Sequence, residues 1–339
     1  MMKDLLSSIY GKIVKSRNRA FDDGKVEIVR TNTPVISIGN ISAGGTGKTP
    51  FSIMLAKKII DLGYKPCIIG RGYKRKNKSL NVISDGKYIL AGIDAAGDEM
   101  YMIAKKLPVP VVVDESKSKA AKIAEKELEI DSIIVDDGFQ HRKLSRDVDI
   151  VLLDDETLKE PFLLPKGRLR EPLASLKRAD VIAFTEDVDN DVIEKYARNK
   201  IWIKTQIEAG SVFELFSGDI LKGEPLIRKM DKCIAVSGLA NPKRFDDTLK
   251  RAGWNAADHI TFADHHHYSM PDLEKISAVC RKKGIKNLIT TEKDAVKLTG
   301  FREYFEKEDI DCYVFSIEMI IIENEKDFYR LIEKTISKA

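Results

Sequence analysis

The chain has 339 residues, of which 43% are hydrophobic and 32% are charged, and its formal net charge is +4. This length predicts two domains, and this composition predicts a soluble globular protein and excludes a disordered one. The small net charge argues against a broad nucleic-acid-binding surface.

The cysteines and the apolar runs indicate the compartment. The four cysteines lie far apart and form no CxxC pair, so neither a disulfide framework nor a zinc ribbon is expected. A reducing cytoplasm is the natural environment for such a chain. No apolar run approaches the ~20 residues that span a bilayer, and Ser7, Ser8 and Lys12 interrupt the first apolar stretch before any cleavage-like site. Neither a membrane span nor a signal peptide is therefore predicted.

Residues 3–19 predict an amphipathic helix with basic flanks. Leu5, Ile9 and Ile13 fall on one side of a helical wheel, and this segment holds five Lys or Arg residues against one Asp. Such a helix either packs on its own domain or lies on an anionic membrane surface. The residues alone favour the first, because most amphipathic helices cover a protein core.

The segments that follow alternate between strands and helices. Apolar, β-branched runs predict strands at residues 34–39, 66–69, 109–113, 132–135 and 148–153, with a hairpin around Asp85-Gly86. Helical patterns cover residues 50–62, 99–107 and 117–128. This order predicts an α/β fold in which a mostly parallel sheet carries helices on both faces. In such sheets sites form at the carboxyl ends of the strands.

The alternation restarts in the second half of the chain. Strands are predicted at residues 233–236, 260–262 and 287–290, and helices at 241–252 and 271–283. We therefore expect a core domain over residues 1–205, a hairpin-like connector over 206–225, and a second, smaller α/β domain over 226–339. The last helix is a candidate to pack back on the core.

A glycine-rich turn joins the first strand to the first core helix. The pattern GxxxxGK[ST] is incomplete here, because Ser42 stands where the first glycine is expected. The remaining residues are Gly44, Gly45, Thr46, Gly47, Lys48 and Thr49. Small residues let backbone N–H groups converge on phosphate oxygens, Lys48 reaches the β- and γ-phosphates, and Thr49 can bind Mg²⁺. The turn therefore predicts a nucleotide phosphate site, and with it a P-loop NTPase-like fold for the core over residues 1–205.

Acidic residues close two of the other segments. Asp136 and Asp137 end a buried strand, where P-loop enzymes hold a second Mg²⁺ ligand, although Asp137-Gly138 is also a good turn dipeptide. Asp98 opens a helix, where an isolated Asp is typically an N-cap, and Glu99 next to it would complement the helix dipole.

The segment Asp264-His265-His266-His267-Tyr268 has three open interpretations. It is a solvated loop, a metal site, or the source of a catalytic base, because His titrates near neutral pH. Zinc is disfavoured, because successive side chains diverge and no further Cys or His lies near in the sequence.

Taken together, these segments resemble the tetraacyldisaccharide 4′-kinase family, the lipid A 4′-kinases of Gram-negative bacteria. The matching stretches run in family order over nearly the whole chain: IYG (9–11), RN (17–18), PVISIGN (34–40), GGTGKTP (44–50), GRGY (70–73), GDE (97–99), DDGFQH (136–141), LP (164–165), GRLREP (167–172), SG (237–238), FADH (262–265) and TEKD (291–294). Each stretch alone is a weak signal, and the ordered set is specific.

The resemblance implies transfer of the ATP γ-phosphoryl group to the 4′-hydroxyl of a tetraacylated glucosamine disaccharide 1-phosphate. It implies a cleft between two domains and a catalytic pair formed by Asp98 and His265, which overrides the N-cap interpretation of Asp98. Thr49, Glu99, Asp136 and Asp137 would serve Mg²⁺. The secondary candidates on the same matching are Arg71, Tyr73, His141, Arg170, Glu171 and Lys117, the last at a position where the family often has Arg.

The resemblance also favours the membrane interpretation of residues 3–19, because the acceptor is an insoluble lipid. It implies a peripheral location on the cytoplasmic face of the bacterial inner membrane. No nucleic acid and no obligate protein partner are expected. Two rival functions fit parts of the sequence. A regulatory ATPase of the deviant P-loop kind would use the same turn, and a cytosolic small-molecule kinase would need no membrane helix.

Overall fold

The computed structural model describes residues 2–185, 190–221 and 232–337. The end of the predicted connector (222–225) and the start of the predicted second domain (226–231) lie outside the described residues, as do residues 186–189 and the two C-terminal ones.

A single sheet runs through the described chain. Its strands are β1 Val35–Asn40, β2 Pro66–Gly70, β3 Asn81–Asp85, β4 Pro110–Val113, β5 Ser132–Asp136, β6 Val148–Leu153, β7 Val181–Phe184, β8 Ile201–Glu214, β9 Ile220–Leu221, β10 Cys233–Ser237, β11 Ala256–Thr261, β12 Asn287–Thr291 and β13 Asp311–Glu323. Their spatial order is β11-β10-β12-β13-β8-β7-β6-β1-β5-β2-β4-β3, and β9 pairs with β8. The described neighbours are parallel except at β3–β4, β8–β13 and β8–β9.

Helices flank this sheet. They are α1 Met2–Asp22, α2 Lys48–Asp61, α3 Ile93–Ala96, α4 Asp98–Lys106, α5 Lys117–Glu127, α6 Asp155–Lys159, α7 Asn190–Ala197, α8 Pro242–Arg251, α9 Met270–Lys283, α10 Glu292–Leu298, α11 Arg302–Lys307 and α12 Glu325–Ile336. Short 3-10 turns cover Leu173–Arg178 and Thr299–Phe301. The prediction of an α/β fold with a mostly parallel sheet is confirmed.

The order of the central strands places the carboxyl ends of β1, β5 and β6 side by side. β1 lies between β5 and β6, and both pairings are parallel. Every residue of these three strands is buried, which is why they appear in the sequence as continuous apolar runs. The turns that follow them therefore meet at one edge of the sheet.

Two long strands link the halves of the chain. β8 pairs in parallel with β7 over Ile201–Lys204 and then in antiparallel with β13 as far as Glu214. Much of the predicted connector is thus strand, with β9 folding back on it. Each half has its own hydrophobic core, one around Ile36 and the other around Ile234. The exact division into two domains stays a prediction.

The C-terminal helix α12 packs on the first half of the chain. Phe328 meets Phe51 of α2 edge to face, with 6.0 Å between the ring centroids. Ile332 and Ile336 are buried in the same core. The end of the chain therefore closes the core behind the glycine-rich turn.

Candidate active site

A deep cleft of about 1610 Å³ lies at the carboxyl ends of the strands, and both halves of the chain line it. The predicted site residues on its wall are Gly44, Gly45, Thr46, Gly47, Lys48, Thr49, Arg71, Tyr73, Glu99, Asp136, Asp137, Arg170 and His265. Asp98 is buried against His265 just behind this wall. The remaining three predicted residues, Lys117, His141 and Glu171, do not line the cleft.

The glycine-rich turn has the backbone that a phosphate loop needs. Gly44 and Gly47 have φ of 118° and 86°, which is a region that favours glycine. A side chain at Gly47 would also stand 2.7 Å from the Met319 methyl group. Asn40 donates a hydrogen bond of 2.9 Å to the buried Thr46 hydroxyl, which holds the turn against β1.

The serine at the first glycine position has a structural role. Ser42 is fully buried and its hydroxyl accepts a hydrogen bond of 2.9 Å from Thr157 of α6. The turn is therefore tied to α6 at the point where the motif departs from its usual pattern.

Two arginines that were not predicted as site residues donate hydrogen bonds to the backbone of the glycine-rich turn. Arg168 donates to the Ala43 carbonyl at 3.1 Å, and Arg244 of α8 donates to the Gly45 carbonyl at 2.7 Å. Arg168 lies in the GRLREP stretch beside Arg170, and Arg244 follows the Asn241 N-cap of α8. No recognisable motif marks Arg244, because its contact depends on how the second half docks.

The two aspartates after β5 have different surroundings. Asp136 accepts hydrogen bonds from Thr49 at 3.2 Å and Ser52 at 2.9 Å. Burial, and then the negative charge of Glu99, raise the pKa of Asp136 to about 6. The backbone at Asp137 has φ 54°, and its carboxylate lies 3.0 Å from Arg170 and 3.6 Å from Lys48.

The Asp137 carboxyl is strongly acidic. Burial acts to raise its pKa, but the cations Lys48, Lys117 and Arg170 outweigh burial and hold the pKa well below its usual range. Asp137 is therefore ionised and couples the glycine-rich turn to the GRLREP stretch.

The oxygen atoms at this edge suit Mg²⁺. Carboxylates and a hydroxyl are the hard ligands that Mg²⁺ prefers, and Thr49, Glu99, Asp136 and Asp137 supply them. Burial is the main cause of the raised pKa of Asp136, and the charge of Glu99, the second cause, would be offset by a cation. Within the described ranges, no group of three or more His, Cys, Asp or Glu residues is placed to hold a metal ion by itself. Magnesium in kinases is commonly completed by substrate phosphates, which fits this arrangement.

Lys117 lies behind the strand end. Its side chain is buried, and its ammonium donates to the backbone carbonyls of Asp136 and Asp137. Burial lowers the pKa of Lys117 to about 8. Lysine can hold two carbonyls from this position without the planar fork of arginine, because carbonyl acceptors need single donors only.

The other two predicted residues outside the cleft are His141, which is half-buried, and Glu171. Burial, followed by the positive charge of Lys117, lowers the pKa of His141 to about 3. Glu171 is almost fully buried and accepts hydrogen bonds from Arg178 at 3.0 Å and from Asn18 of α1 at 2.7 Å.

Asp98 and His265 come together across the two halves. Asp98 is the first residue of α4, and Gly97, not Asp98, is the N-cap residue. His265 has φ 60°, and its Nδ1 lies 3.2 Å from Asp98 Oδ2. The Tyr73 ring covers His265 with 4.8 Å between ring centroids.

Lysines of α10 surround this pair. Lys297 is buried and its ammonium lies 3.4 Å from Asp98 and 2.9 Å from Asp294. Burial acts to raise the pKa of Asp98, but the hydrogen bond from His265 and the charge of Lys297 outweigh it, so the pKa is lowered. Lys293 Nζ lies 3.0 Å from His265 Nε2. Lys293 belongs to the TEKD stretch but was not among the predicted site residues.

The three histidines of the 265–267 run point to different places. His265 binds Asp98, His266 stacks on Phe262 and lies 3.0 Å from Asp272, and His267 is exposed. Their divergence argues against a shared metal.

Helix α1 packs on the outer side of the site. Its inner side hydrogen-bonds to the loop that carries Arg170: the Tyr10 hydroxyl donates to the Arg170 carbonyl at 3.0 Å, and Ser7 donates to the Leu163 carbonyl at 2.8 Å. Gly11 allows close approach, because a Cβ there would lie 2.9 Å from Leu163. The outer side of α1 exposes five large apolar side chains: Met2, Leu5, Leu6, Ile9 and Ile13.

We expect Tyr10→Phe to destabilise the protein by about 1 kcal/mol, the typical net value of one hydrogen bond. It should also lower turnover, because the carbonyl that loses its hydrogen bond belongs to Arg170, whose side chain holds Asp137. Urea unfolding and initial rates measure both effects. Ser8→Ala on the exposed side of α1 is the control, and equal stability of Tyr10→Phe and wild type would contradict the prediction.

Comparison with known proteins covers almost the whole chain. The model of the family "Tetraacyldisaccharide-1-P 4′-kinase" (LpxK) matches residues 3–337. The chain is 37% identical to a tetraacyldisaccharide 4′-kinase of Halothermothrix orenii, over 97% of this chain and 91% of that protein. It is 38% identical to a protein of the same description from Aquifex aeolicus, over 88% of this chain and 90% of that protein.

A solved structure agrees with these sequence matches. It is the crystal structure of the "apo" form of LpxK from Aquifex aeolicus in complex with ATP, which superposes with a TM-score of 0.79 at 32% identity. The match covers 98% of this chain and 97% of that one.

Proposed function

The chain belongs to the tetraacyldisaccharide-1-P 4′-kinase family, and we propose that it transfers the γ-phosphoryl group of ATP to the 4′-hydroxyl of a tetraacylated glucosamine disaccharide 1-phosphate. Family membership favours this kinase activity over the regulatory ATPase. The structural observation that supports it is that the glycine-rich turn and His265, which belong to different halves of the chain, line the same cleft.

The proposed roles follow from the positions. The glycine-rich turn, at the N-terminus of α2, binds the triphosphate through backbone N–H groups, with Lys48 on the β- and γ-phosphates. Thr49, Glu99, Asp136 and Asp137 hold Mg²⁺, which neutralises phosphate charge when bound. Arg170 keeps Asp137 in place. Lys117 and Glu171 hold the surrounding backbone and α1.

The Asp98–His265 pair acts on the hydroxyl group of the acceptor. A sugar hydroxyl is a weak nucleophile, and a carboxylate–imidazole pair can accept its proton as phosphoryl transfer proceeds. Asp98 belongs to α4 and His265 to the loop after β11, so the pair forms only when the two halves are docked. We propose that docking of the halves over bound substrates completes the site.

The direct test combines the purified protein, ATP labelled at the γ-phosphate, and purified disaccharide 1-phosphate lipid. Labelled lipid is the expected product, and a water-soluble sugar acceptor should remain unlabelled. Release of labelled phosphate without labelled lipid would support the regulatory ATPase. Labelling of the soluble sugar would support the small-molecule kinase.

We also propose that α1 binds the anionic surface of the membrane, on the cytoplasmic face of the inner membrane. Its outer side carries exposed apolar residues with Lys3, Lys12 and Lys15 beside them. Such a helix lies in the interface with its apolar side among the acyl chains. Among the described residues, no helix combines the length and hydropathy needed to cross a bilayer.

We expect Leu5→Asp and Ile13→Asp each to weaken binding to phosphatidylglycerol vesicles about tenfold, because burying such a side chain is worth about 1.5–3 kcal/mol. These residues are 64% and 61% exposed, so folding should be unchanged. Point substitutions are preferable to deletion of α1, which would also remove Tyr10. Vesicle sedimentation measures binding. Leu90→Asp, an exposed leucine on the hairpin after β3, is the matched control, and unchanged sedimentation of both α1 variants would refute the membrane role.

A further inference from the structure

The imidazole of His265 has one nitrogen left for a substrate, and Lys293 occupies it. Nδ1 faces Asp98 Oδ2 at 3.2 Å, and Nε2 lies 3.0 Å from Lys293 Nζ. Lys293 lies on α10 and lines the cleft. Any hydroxyl that gives its proton to His265 must therefore reach the nitrogen that Lys293 now contacts.

The chemistry of the ammonium group sets the direction of its hydrogen bond with the ring. An ammonium has three donors and no acceptor, so in the contact with Lys293 the Nε2 atom of His265 is the acceptor. In this pattern the ring proton is on Nδ1, which faces Asp98 Oδ2. This is the tautomer that a general base needs, but the lone pair of Nε2 is engaged by Lys293.

Two carboxylates hold the Lys293 ammonium beside the ring. Asp264 Oδ1 lies 3.3 Å from Nζ, and Glu99 Oε1 lies 3.4 Å from it. Glu99 is next to Asp98 on α4 and is a proposed Mg²⁺ ligand, so the ammonium stands between the base and the phosphate side of the cleft. A triphosphate carries more negative charge than either carboxylate, and it would compete for the ammonium.

We propose that Lys293 blocks the base nitrogen of His265 until ATP binds and then moves onto the transferred phosphoryl group. Lys293 is then a catalytic residue, because it contacts the transferred phosphoryl group, and it also controls access to Nε2 of His265. This inference rests on the proposed kinase function.

Phosphoryl transfer forms one bond to the γ-phosphorus and breaks another. The acceptor hydroxyl oxygen bonds to the γ-phosphorus as the bond from that phosphorus to the β,γ-bridging oxygen breaks. ADP leaves with the electron pair of the broken bond. The hydroxyl proton goes to His265 Nε2, which Lys293 has vacated, and the imidazolium is stabilised by Asp98. Lys293 meanwhile neutralises charge on the phosphoryl oxygens.

Nuclear magnetic resonance of ¹⁵N-histidine-labelled protein tests the blocked state without turnover. The five histidines allow the His265 signals to be assigned with a His265→Gln variant. We expect an unprotonated Nε2 whose resonance shifts when a non-hydrolysable ATP analogue with Mg²⁺ is added. Lys293→Met should show the shifted position without the analogue. A wild-type Nε2 resonance that the analogue leaves in place, or one that Lys293→Met does not change, would overturn the proposal.

Steady-state kinetics test the proposed catalytic role of Lys293. Lys293→Met should lower kcat about 10²- to 10³-fold, as removal of a charge-stabilising group typically does, with a smaller change in the KM for ATP. Lys293→Arg should recover part of kcat because it keeps the cation. Lys286→Met, an exposed lysine paired with Asp309, is the control. Near-normal kcat in Lys293→Met would overturn the proposed catalytic role. Failure of the wild type to label lipid would reject the kinase function instead, and the resonance experiment would still stand.

Discussion

Asp98→Asn and His265→Ala should each reduce kcat by about 10²- to 10⁴-fold, the range that general acid–base catalysis contributes. ATP binding should be unchanged in both variants, because neither residue lies on the glycine-rich turn. The reason is the 3.2 Å contact between Asp98 Oδ2 and His265 Nδ1, which orients the ring and stabilises its charged form. Asn keeps the shape of Asp98 and removes only its charge.

The double variant separates a catalytic pair from two independent residues. If Asp98 and His265 act as a unit, the variant that lacks both should be little worse than either single variant. Initial rates at saturating ATP and lipid, with ATP affinity from calorimetry, measure this. His267→Ala is the matched control, because His267 is in the same run and exposed. A single variant with near-normal kcat would remove that residue from the proposed mechanism.

Folding must be checked in these variants, because the pair also helps to dock the halves. Lys106 of α4 and Glu292 of α10 form a second, largely buried ion pair of 2.6 Å across the same interface. This pair remains in Asp98→Asn and His265→Ala, so we expect the halves to stay docked. Thermal unfolding of each variant checks that expectation.

Much of the site could be predicted from short-range sequence patterns. The strand–turn–helix around Gly44 to Thr49 and the acidic end of β5 are local features, and the hydrophobic pattern placed them at the same edge of the sheet. The parallel sheet followed from the alternation of strands and helices. These elements depend on residues that are close together in the sequence.

The missed residues depend on long-range docking. Arg244 contacts the turn because α8 lies across the cleft, and Lys297 contacts Asp98 because α10 packs on α4. Neither contact leaves a periodic signal, because the partners are about 200 residues apart in the chain. The burial of Glu171 and Lys117 was equally invisible, since charged residues are mostly exposed. Sequence patterns therefore identified the nucleotide side of the cleft better than its second wall.

Lys48→Met should weaken ATP binding, which Asp98→Asn and His265→Ala should leave unchanged. Lys48 is the first residue of α2, and its ammonium lies 3.6 Å from Asp137 Oδ1. With ATP bound it is expected on the β- and γ-phosphates. Its loss should lower kcat/KM for ATP about 10²- to 10³-fold and weaken ATP binding. Asp137 keeps Arg170 as a partner, so the fold should persist.

Calorimetry with ATP and Mg²⁺, together with initial rates, measures both effects of Lys48→Met, and Lys65→Met serves as a control on an exposed lysine paired with Glu129. Normal ATP affinity in Lys48→Met would mean that the triphosphate does not lie on the glycine-rich turn. Comparison with His265→Ala then distinguishes the two walls of the cleft. One variant should lose ATP and the other should hold ATP without transferring its phosphate. That contrast would require the nucleotide and the acceptor hydroxyl to be served by different halves of the same site.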